Sequence, residues 1–101
     1  DCRHYLAMLD DVPVGTARVR PIGDDTVKFE RMAVRREYRK QDVGRSLMRI
    51  ALADAAAGSA TRGVLHAQCH ASAFYEKFGF VQDGEIFTEA GIEHIAMVRN
   101  L

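Results

Sequence analysis

The sequence lacks several features that would assign it to a special class of protein. No apolar run approaches the ~20 residues that a membrane-spanning helix needs, and the first residues lack the apolar centre of a signal peptide. Cys2 and Cys69 form no CxxC pair and no metal-ligand spacing, so we expect reduced thiols. Fourteen basic residues balance fourteen acidic ones, so the net charge favours no nucleic-acid partner. We expect a cytoplasmic protein without a membrane or nucleic-acid partner.

What is present fits one small folded domain. The chain has 101 residues, of which 48% are hydrophobic and 28% charged, and these fractions are typical of a globular protein with one core. No internal repeat, low-complexity tract or linker interrupts it. We therefore predict a single domain over residues 1–101. Because the sequence begins with Asp1 and not with Met, we expect a trimmed or incomplete N-terminus.

The first third of the sequence predicts three antiparallel strands. The segments "RHYLAMLD" and "VPVGTARVRPI" read as a hairpin, since β-branched residues alternate on either side of a polar turn. A third strand, "TVKFERMAV", follows the polar "GDD". In regular alternation Val27 and Phe29 would face one way, and a second set would face the other. That second set is Lys28, Glu30, Met32 and Val34.

The rest of the chain alternates between helix and strand. Apolar residues recur at helical spacing from Val43 until Gly58, and a short buried strand, "GVLHAQ", follows. The segment "SAFYEKFGF" predicts a second helix ended by Gly79, and "EIFTEAGIEHIAMVRN" predicts a closing hairpin. The resulting order, β-β-β-α-β-α-β-β, predicts an α/β (α+β) fold with a mixed, mostly antiparallel sheet.

Basic residues are concentrated ahead of the first helix, in "YRKQDVGRSL", and seven of them fall between residues 31 and 49. The first turn of a helix has backbone N–H groups without intrahelical partners, which can bind phosphate. Gly44 permits close approach of a ligand, and Arg39, Lys40 and Arg45 add positive charge. Alternatively, Asp42 caps the helix and the bases form a solvated face. Spacing alone leaves both interpretations open.

Two longer segments resemble the GNAT acetyltransferase superfamily. In "FERMAVRREYRKQDVGRSLM" a strand runs into a loop similar to the family's Arg/Gln-x-x-Gly-x-Gly/Ala cofactor motif. In "QCHASAFYEKFGF" a tyrosine precedes a Gly-Phe pair, as in the family's second signature. The segments "LHAQCHASAFYEKFGF" and "GEIFTEAGIEHIAM" together resemble the ElaA-like branch of acyltransferases. The resemblance extends from about Tyr5 to the end of the chain.

This resemblance implies a GNAT-like fold that binds acetyl-CoA. Backbone amides of residues 41–46 would bind the pyrophosphate, the strand around Ala33 would pair with the pantetheine arm, and Tyr75 would protonate the departing thiolate. Backbone N–H groups near Ala33 or Val34 would stabilise the oxyanion. The cofactor-binding residues implied are Met32, Ala33, Val34, Arg39, Lys40, Gln41, Asp42, Val43, Gly44, Arg45, Ser46 and Gln68.

The sequence departs from the family pattern in three places. Asp42 stands where members usually have glycine, and its carboxylate would repel a pyrophosphate unless the side chain turns away. Gln68 stands where many members have asparagine. Members normally begin with one further strand and two helices that wall the acceptor pocket, so we expect an incomplete N-terminus and self-association as a homodimer.

Several groups are candidates for the base that accepts a proton from the attacking amine. Glu30 is the first, directly or through water; the alternative is a surface carboxylate paired with Lys28 or Arg31. His66 and His94 are secondary candidates, because imidazole titrates near neutral pH. No histidine pair has the helical spacing of a zinc site, so we expect no metal.

The function predicted is an N-acetyltransferase (EC 2.3.1.-) that transfers acetyl directly from acetyl-CoA to an amine. The acceptor, a small molecule or a peptide, is left open. A second hypothesis is a non-catalytic CoA-binding or assembly module with an incomplete acceptor site. A third is nucleic-acid binding through the basic segment, which lacks the interleaved aromatic residues of such surfaces.

Overall fold

The structure of the protein is a computed structural model that describes residues 2–39 and 41–101. The described residues form seven strands and two α-helices. The strands are β1 (Arg3–Leu9), β2 (Val12–Pro21), β3 (Thr26–Val34), β4 (Arg62–Gln68), β5 (Val81–Gln82), β6 (Phe87–Glu89) and β7 (Ile92–Asn100). The helices are α1 (Val43–Ala57) and α2 (Ser72–Glu76), and single 3-10 turns occupy Arg36–Tyr38 and Cys69–Ala71.

All strands belong to one sheet with the order β1-β2-β3-β4-β7-β5, and β6 pairs separately with β7. Every pair is antiparallel except β3 and β4, which are parallel because α1 connects them. The predicted fold class and order are confirmed. The structure adds one strand, β5, whose two residues are too few for an alternating pattern to be recognised.

The first hairpin turns at Asp10 and Asp11, which both adopt left-handed backbone conformations, with φ of 48° and 67°. Leu9 pairs with Val12 across this turn, so the loop has two residues. Two left-handed residues in a row match the twist of the strands they join, and aspartate tolerates that conformation better than most residues do. The polar turn predicted from the sequence is therefore present as a tight hairpin at Asp10 and Asp11.

Both helices pack on the same face of the sheet. One core cluster joins Met48 and Ala51 of α1 to Phe29, Leu65 and other residues of the central strands, and α2 packs against it. A second cluster joins the start of α1 to β2; its buried residues are Val14, Ala17, Val43 and Leu47. The two clusters hold the first turn of α1 against β2 and β3, and the position of that turn matters for the site.

A β-bulge interrupts β3 and corrects the predicted alternation. Arg31 is left-handed, with φ of 53°, and the register of β3 against β2 shifts between Arg18, which pairs with Glu30, and Thr16, which pairs with Ala33. Because of the extra residue, the side chains that follow it project to the faces opposite those expected of a regular strand. Met32 therefore packs against the helix-side core that contains Phe29, and does not share a face with Glu30 as regular alternation predicted.

The second helix is shorter than predicted. It ends at Glu76, and the chain continues through turns to Gly79, where φ is 87°. Gly79 has a left-handed backbone, but the prediction that it ends the helix is wrong, because the helix stops three residues before it. Phe78 and Gly79 instead donate backbone hydrogen bonds to the carbonyls of Tyr75 and Glu76, in single turns. Five residues suffice to place Tyr75 against the core.

Candidate active site

The parallel strands β3 and β4 separate part of the way along the sheet. They pair from Thr26 with Arg62 to Phe29 with Leu65, and their register contains no later pair. The separation begins where the bulge at Arg31 redirects β3. Beyond it, the backbone of residues 32–34 has no strand partner on its β4 side. A sheet that opens in this way offers hydrogen-bonding groups to an extended ligand.

A cavity of about 950 Å³ lies at this opening and extends to the first turn of α1. It is lined by most of the cofactor-binding residues predicted from the sequence, and also by Tyr75. The predicted residues on its surface are Met32, Ala33, Val34, Arg39, Asp42, Gly44, Arg45, Gln68 and Tyr75. Residues separated by up to 43 positions in the sequence are thus brought to one cavity by the β3–α1–β4–α2 connection.

Four predicted cofactor-binding residues are not on this surface or cannot be placed. Val43 is buried in the second core cluster, where its side chain packs with Leu47, so only its backbone could contact a ligand. Gln41 and Ser46 are not buried but do not line the cavity. Lys40 lies outside the described residues. For Gln41 and Ser46, any contribution would come through backbone amides, as the sequence predicted for the whole loop.

The first turn of α1 presents amides toward the cavity. Asp42 precedes the helix in a left-handed conformation, with φ of 60° and ψ of 19°. Its carbonyl accepts the first helical hydrogen bond, from the Ser46 amide at 3.0 Å. The amides of residues 43–45 come earlier than that first bonded donor, so helix geometry gives them no partner inside the helix. A Cβ added at Gly44 would lie 3.4 Å from the Phe74 ring, which is an ordinary van der Waals distance, so the packing of α1 on α2 does not by itself require glycine here.

The side chain of Asp42 does not cap the helix. It makes no hydrogen bond to the first-turn amides, and its carboxylate lies 3.9 Å from the Arg45 guanidinium. Arg39, on the other side of the loop, donates from Nε to the carbonyl oxygen of Val34 at 3.1 Å. The cap interpretation is therefore wrong for the side chain. Asp42 turns toward a base and not toward these amides.

Tyr75 projects from α2 into the cavity, and aromatic rings pack around it. Its ring makes edge-to-face contacts with Phe74, at a centroid distance of 5.0 Å, and with Phe80, at 6.4 Å. Burial raises the pKa of its hydroxyl above the ordinary value. The hydroxyl is consequently protonated at neutral pH and can donate a proton or a hydrogen bond.

Glu30 lies on the other face of the sheet and pairs with two bases of β2. Its carboxylate accepts hydrogen bonds from Arg18 and Arg20, and it forms an ion pair with each. Burial acts to raise the pKa of Glu30, but the hydrogen bonds and charges of the two arginines outweigh it and hold the pKa below its usual range. Glu30 is therefore a paired carboxylate, as the alternative interpretation predicted. The partners, however, come from the neighbouring strand and are neither Lys28 nor Arg31.

A second cavity of about 280 Å³ adjoins the first and contains the remaining candidates for the base. The two cavities share Met32, Gln68, Ala71 and Tyr75. The second is also lined by Glu30, His66, His70 and His94. Tyr75 therefore lines both cavities. The first contains the candidates for phosphate binding, and the second contains a carboxylate and three imidazoles.

The histidines are held by polar contacts. His70 Nε2 lies 2.6 Å from the side-chain oxygen of Gln68. The buried His94 has Nδ1 at 2.8 Å from the Ile92 carbonyl, and both His94 and His66 approach the carboxylate of Glu89, at 3.6 Å and 3.3 Å. Among residues 2–39 and 41–101, no cluster of three or more histidine, cysteine, aspartate or glutamate side chains could hold a metal ion.

Sequence reasoning missed two basic residues of the first cavity, Arg49 and Lys77. Arg49 follows Arg45 by four residues, and that helical spacing could have placed both on one side of α1. Lys77 lies two residues after Tyr75, within the second signature. Phe74 and Phe78, which pack against the core, also line the cavity. In the part of the chain that the structure describes, no helix is long and apolar enough to cross a membrane.

Comparisons with known proteins agree with this geometry. A family model described as an acetyltransferase (GNAT) domain matches residues 1–101. ElaA of Escherichia coli is 36% identical over 104 aligned residues, which cover 100% of this chain and 68% of ElaA. The crystal structure of Escherichia coli ElaA matches with a TM-score of 0.88 at 33% identity, over 98% of this chain and 68% of that one.

Two further solved structures are similar. An acyl-CoA N-acyltransferase from Pseudomonas aeruginosa matches with a TM-score of 0.86 at 32% identity, over 98% of this chain and 68% of that one. A GNAT family acetyltransferase from Elizabethkingia anophelis, solved with acetyl-CoA bound, shares the fold, with a TM-score of 0.82 at 21% identity, over 97% of this chain and 75% of that one. The present chain spans about two thirds of the length of ElaA.

Proposed function

Because the chain belongs to the GNAT family of acetyltransferases, in which ElaA is a relative, we propose that this acyltransferase uses acetyl-CoA to acetylate an amine by direct transfer. The single observation that carries the proposal is the cavity at the opening between β3 and β4. It combines a strand edge that β4 does not pair with, the first-turn amides of α1 and a tyrosine whose raised pKa keeps it protonated. Each of these three features suits a different part of an acyl-CoA molecule.

Separate groups of the cavity suit the separate parts of acetyl-CoA. First-turn amides together with Arg39 and Arg45 suit the pyrophosphate, since backbone donors and bases both stabilise phosphate oxygens. The β4 side of residues 32–34 suits the amide groups of the pantetheine arm, with the side chain of Gln68 on the opposite wall. Acetyl-CoA bound in a fold neighbour from Elizabethkingia anophelis supports this choice of donor.

The chemistry requires that a new C–N bond replace the thioester C–S bond. As the amine nitrogen attacks the carbonyl carbon, the backbone N–H near Ala33 or Val34 stabilises the oxyanion. The electron pair of the C–S bond then passes to sulfur, and Tyr75 supplies its proton. The amine loses one proton in the same process. We propose that water in the adjoining cavity takes it and passes it toward Glu30.

The pairing of Glu30 limits its role as a base. A carboxylate whose pKa lies below the usual range accepts protons weakly, so the amine must reach the site already neutral. His66 and His94 stay as alternatives, because they line the same cavity. The acceptor is a small molecule or a peptide amine.

We also propose a cytoplasmic location and a homodimer. The two cysteines are free thiols, which suits a reducing compartment. Strand β1 forms an edge of the sheet and exposes Leu6 and Met8, so pairing with a second copy would cover apolar side chains and unpaired backbone groups. Light scattering at increasing protein concentration should give twice the mass of the chain; a constant monomer would contradict the homodimer.

The test of the function is a calorimetric titration of the protein with acetyl-CoA and with acetyl-pantetheine, which lacks the pyrophosphate. We expect micromolar affinity for acetyl-CoA and much weaker binding of acetyl-pantetheine. A screen of amines with detection of released thiol then identifies the acceptor. Absence of acetyl-CoA binding would contradict the proposal.

A further inference from the structure

The first cavity contains more positive charge than a pyrophosphate site requires. Four basic side chains line it, and Asp42 is the one acidic residue among its described lining residues. Asp42 approaches Arg45, and Arg39 donates to the carbonyl of Val34. Within residues 2–39 and 41–101, no carboxylate lies within ion-pair distance of the other two bases, Arg49 and Lys77.

These two bases approach the cavity from different helices. Arg49 follows Arg45 by one helical turn, and so lies on the same side of α1 about 6 Å farther from its N-terminus. Lys77 directly follows the last residue of α2. Both line the same cavity as the first turn of α1, with Phe74 and Phe78 on the wall. A second anionic group would therefore meet them beyond the position proposed for the pyrophosphate.

We propose that Arg49 and Lys77 bind the 3′-phosphate of CoA. This inference rests on the proposed function, which supplies the ligand. In CoA the 3′-phosphate and the pyrophosphate are attached to the same ribose, so a molecule held at the start of α1 carries a second phosphate one sugar away. An arginine fork and a lysine ammonium together match a phosphate monoester, which has three terminal oxygens and a double negative charge.

A consequence of this arrangement is selectivity among adenine nucleotide thiols. Both bases would act on the 3′-phosphate and not on the pyrophosphate, so they should strengthen the binding of CoA and leave 3′-dephospho-CoA nearly unaffected. The first turn of α1 and Arg45 should contribute equally to both ligands. The difference between the two affinities thus isolates the contribution of Arg49 and Lys77.

The test is a calorimetric titration of the wild-type protein and three variants with CoA and with 3′-dephospho-CoA at one fixed salt concentration. We expect the wild type to bind CoA about tenfold or more tightly than 3′-dephospho-CoA. Arg49→Gln and Lys77→Gln should each weaken CoA binding severalfold and change 3′-dephospho-CoA binding by less than about twofold. Arg36→Gln is the matched control, because Arg36 is an exposed base of the same basic segment that does not line the cavity.

The outcomes separate this inference from the function on which it rests. Equal wild-type affinity for the two ligands would overturn the 3′-phosphate site and leave the acetyl-CoA proposal intact. Equal losses in Arg36→Gln and Arg49→Gln would show a general effect of charge, and would also overturn it. If neither ligand binds the wild type, the proposed function fails and this inference fails with it. Circular dichroism melting curves establish that each variant is folded.

Discussion

Tyr75 lies among the rings of Phe74 and Phe80, and burial raises the pKa of its hydroxyl, so the proton is present wherever the protein is assayed near neutral pH. Removal of the hydroxyl alone leaves these edge-to-face contacts in place. A Tyr75→Phe variant therefore separates the role of the proton from the role of the ring. The distinction matters because the aromatic surrounding is part of the core that holds α2.

We predict that Tyr75→Phe lowers turnover about a hundredfold or more, since loss of a positioned general acid typically costs this much. Affinity for acetyl-CoA should change by less than about twofold, because the hydroxyl acts mainly as thiolate charge develops. Tyr38→Phe, outside the cavity, is the control. The measurement is steady-state kinetics with the acceptor found by screening, together with calorimetric affinity. Unchanged turnover in Tyr75→Phe would remove the hydroxyl from the mechanism.

Asp42 combines two properties that can be separated by substitution. Its left-handed backbone suits glycine and asparagine, and its carboxylate lies near the turn proposed to bind phosphate. We predict that Asp42→Asn, which removes the charge and tolerates the same backbone, tightens CoA binding several-fold, by about 1 kcal/mol. Asp42→Gly should tighten it similarly and also remove backbone strain. Calorimetry reports the affinity and thermal unfolding reports the strain; weaker binding in both variants would show that the carboxylate positions Arg45.

At the scale of elements, the position of α1 depends on how closely it approaches β2. A Cβ added at Gly15 would lie 2.8 Å from Val43 and 3.2 Å from the carbonyl oxygen of Ala33. Those neighbours belong to the first turn of α1 and to the strand edge proposed for pantetheine. The same contact therefore supports the fold and aligns two parts of the site.

We predict that Gly15→Ala lowers the free energy of unfolding by about 1–3 kcal/mol through overpacking. It should also weaken acetyl-CoA binding, because the amides of the first turn move away from residues 32–34. Gly23→Ala is the matched control, since a Cβ there would meet nothing within 4 Å. Urea unfolding and calorimetry measure the two effects. Normal affinity in a destabilised Gly15→Ala protein would separate the helix position from the site.

Sequence patterns predicted the elements better than their irregularities. Apolar spacing identified α1, and the two family motifs implied that Gly44 and Tyr75 serve the same ligand. The bulge at Arg31 could not be predicted, because a single left-handed residue inside a strand leaves no mark in the alternation of side chains. That one residue decides that Met32 and Glu30 lie on different faces. Likewise, the pairing of Glu30 with Arg18 depends on the strand register.

At the scale of the whole molecule, stability should depend on pH through Glu30. Its folded pKa is lowered, so the stabilising ion pairs with Arg18 and Arg20 are fully present above the pKa of an unfolded glutamate. They are lost as pH falls below about 4, through the lowered folded pKa. Acid should therefore weaken the ion pairs that connect β2 and β3 at neutral pH.

We predict that Glu30→Gln lowers the free energy of unfolding at pH 7 by about 1–2 kcal/mol, because two bases lose their partner. At pH 3 the difference between the variant and the wild type should shrink, since the wild-type carboxyl is becoming protonated. Urea unfolding at both pH values measures this. Glu37→Gln, at an exposed position, is the control. A constant difference across pH would mean that Glu30 stabilises the protein through packing and not through its charge.

The short parallel contact between β3 and β4 also has a consequence for the order of folding. Residues 3–34 form a meander whose contacts are local, whereas the join to β4 consists of four residue pairs that are each 36 positions apart along the chain. Local contacts form quickly, and distant ones require closure of a long loop. The meander should therefore assemble first, and the join between the two halves of the sheet should be the slow, late step. The cavity proposed for acetyl-CoA would then form only when folding is nearly complete.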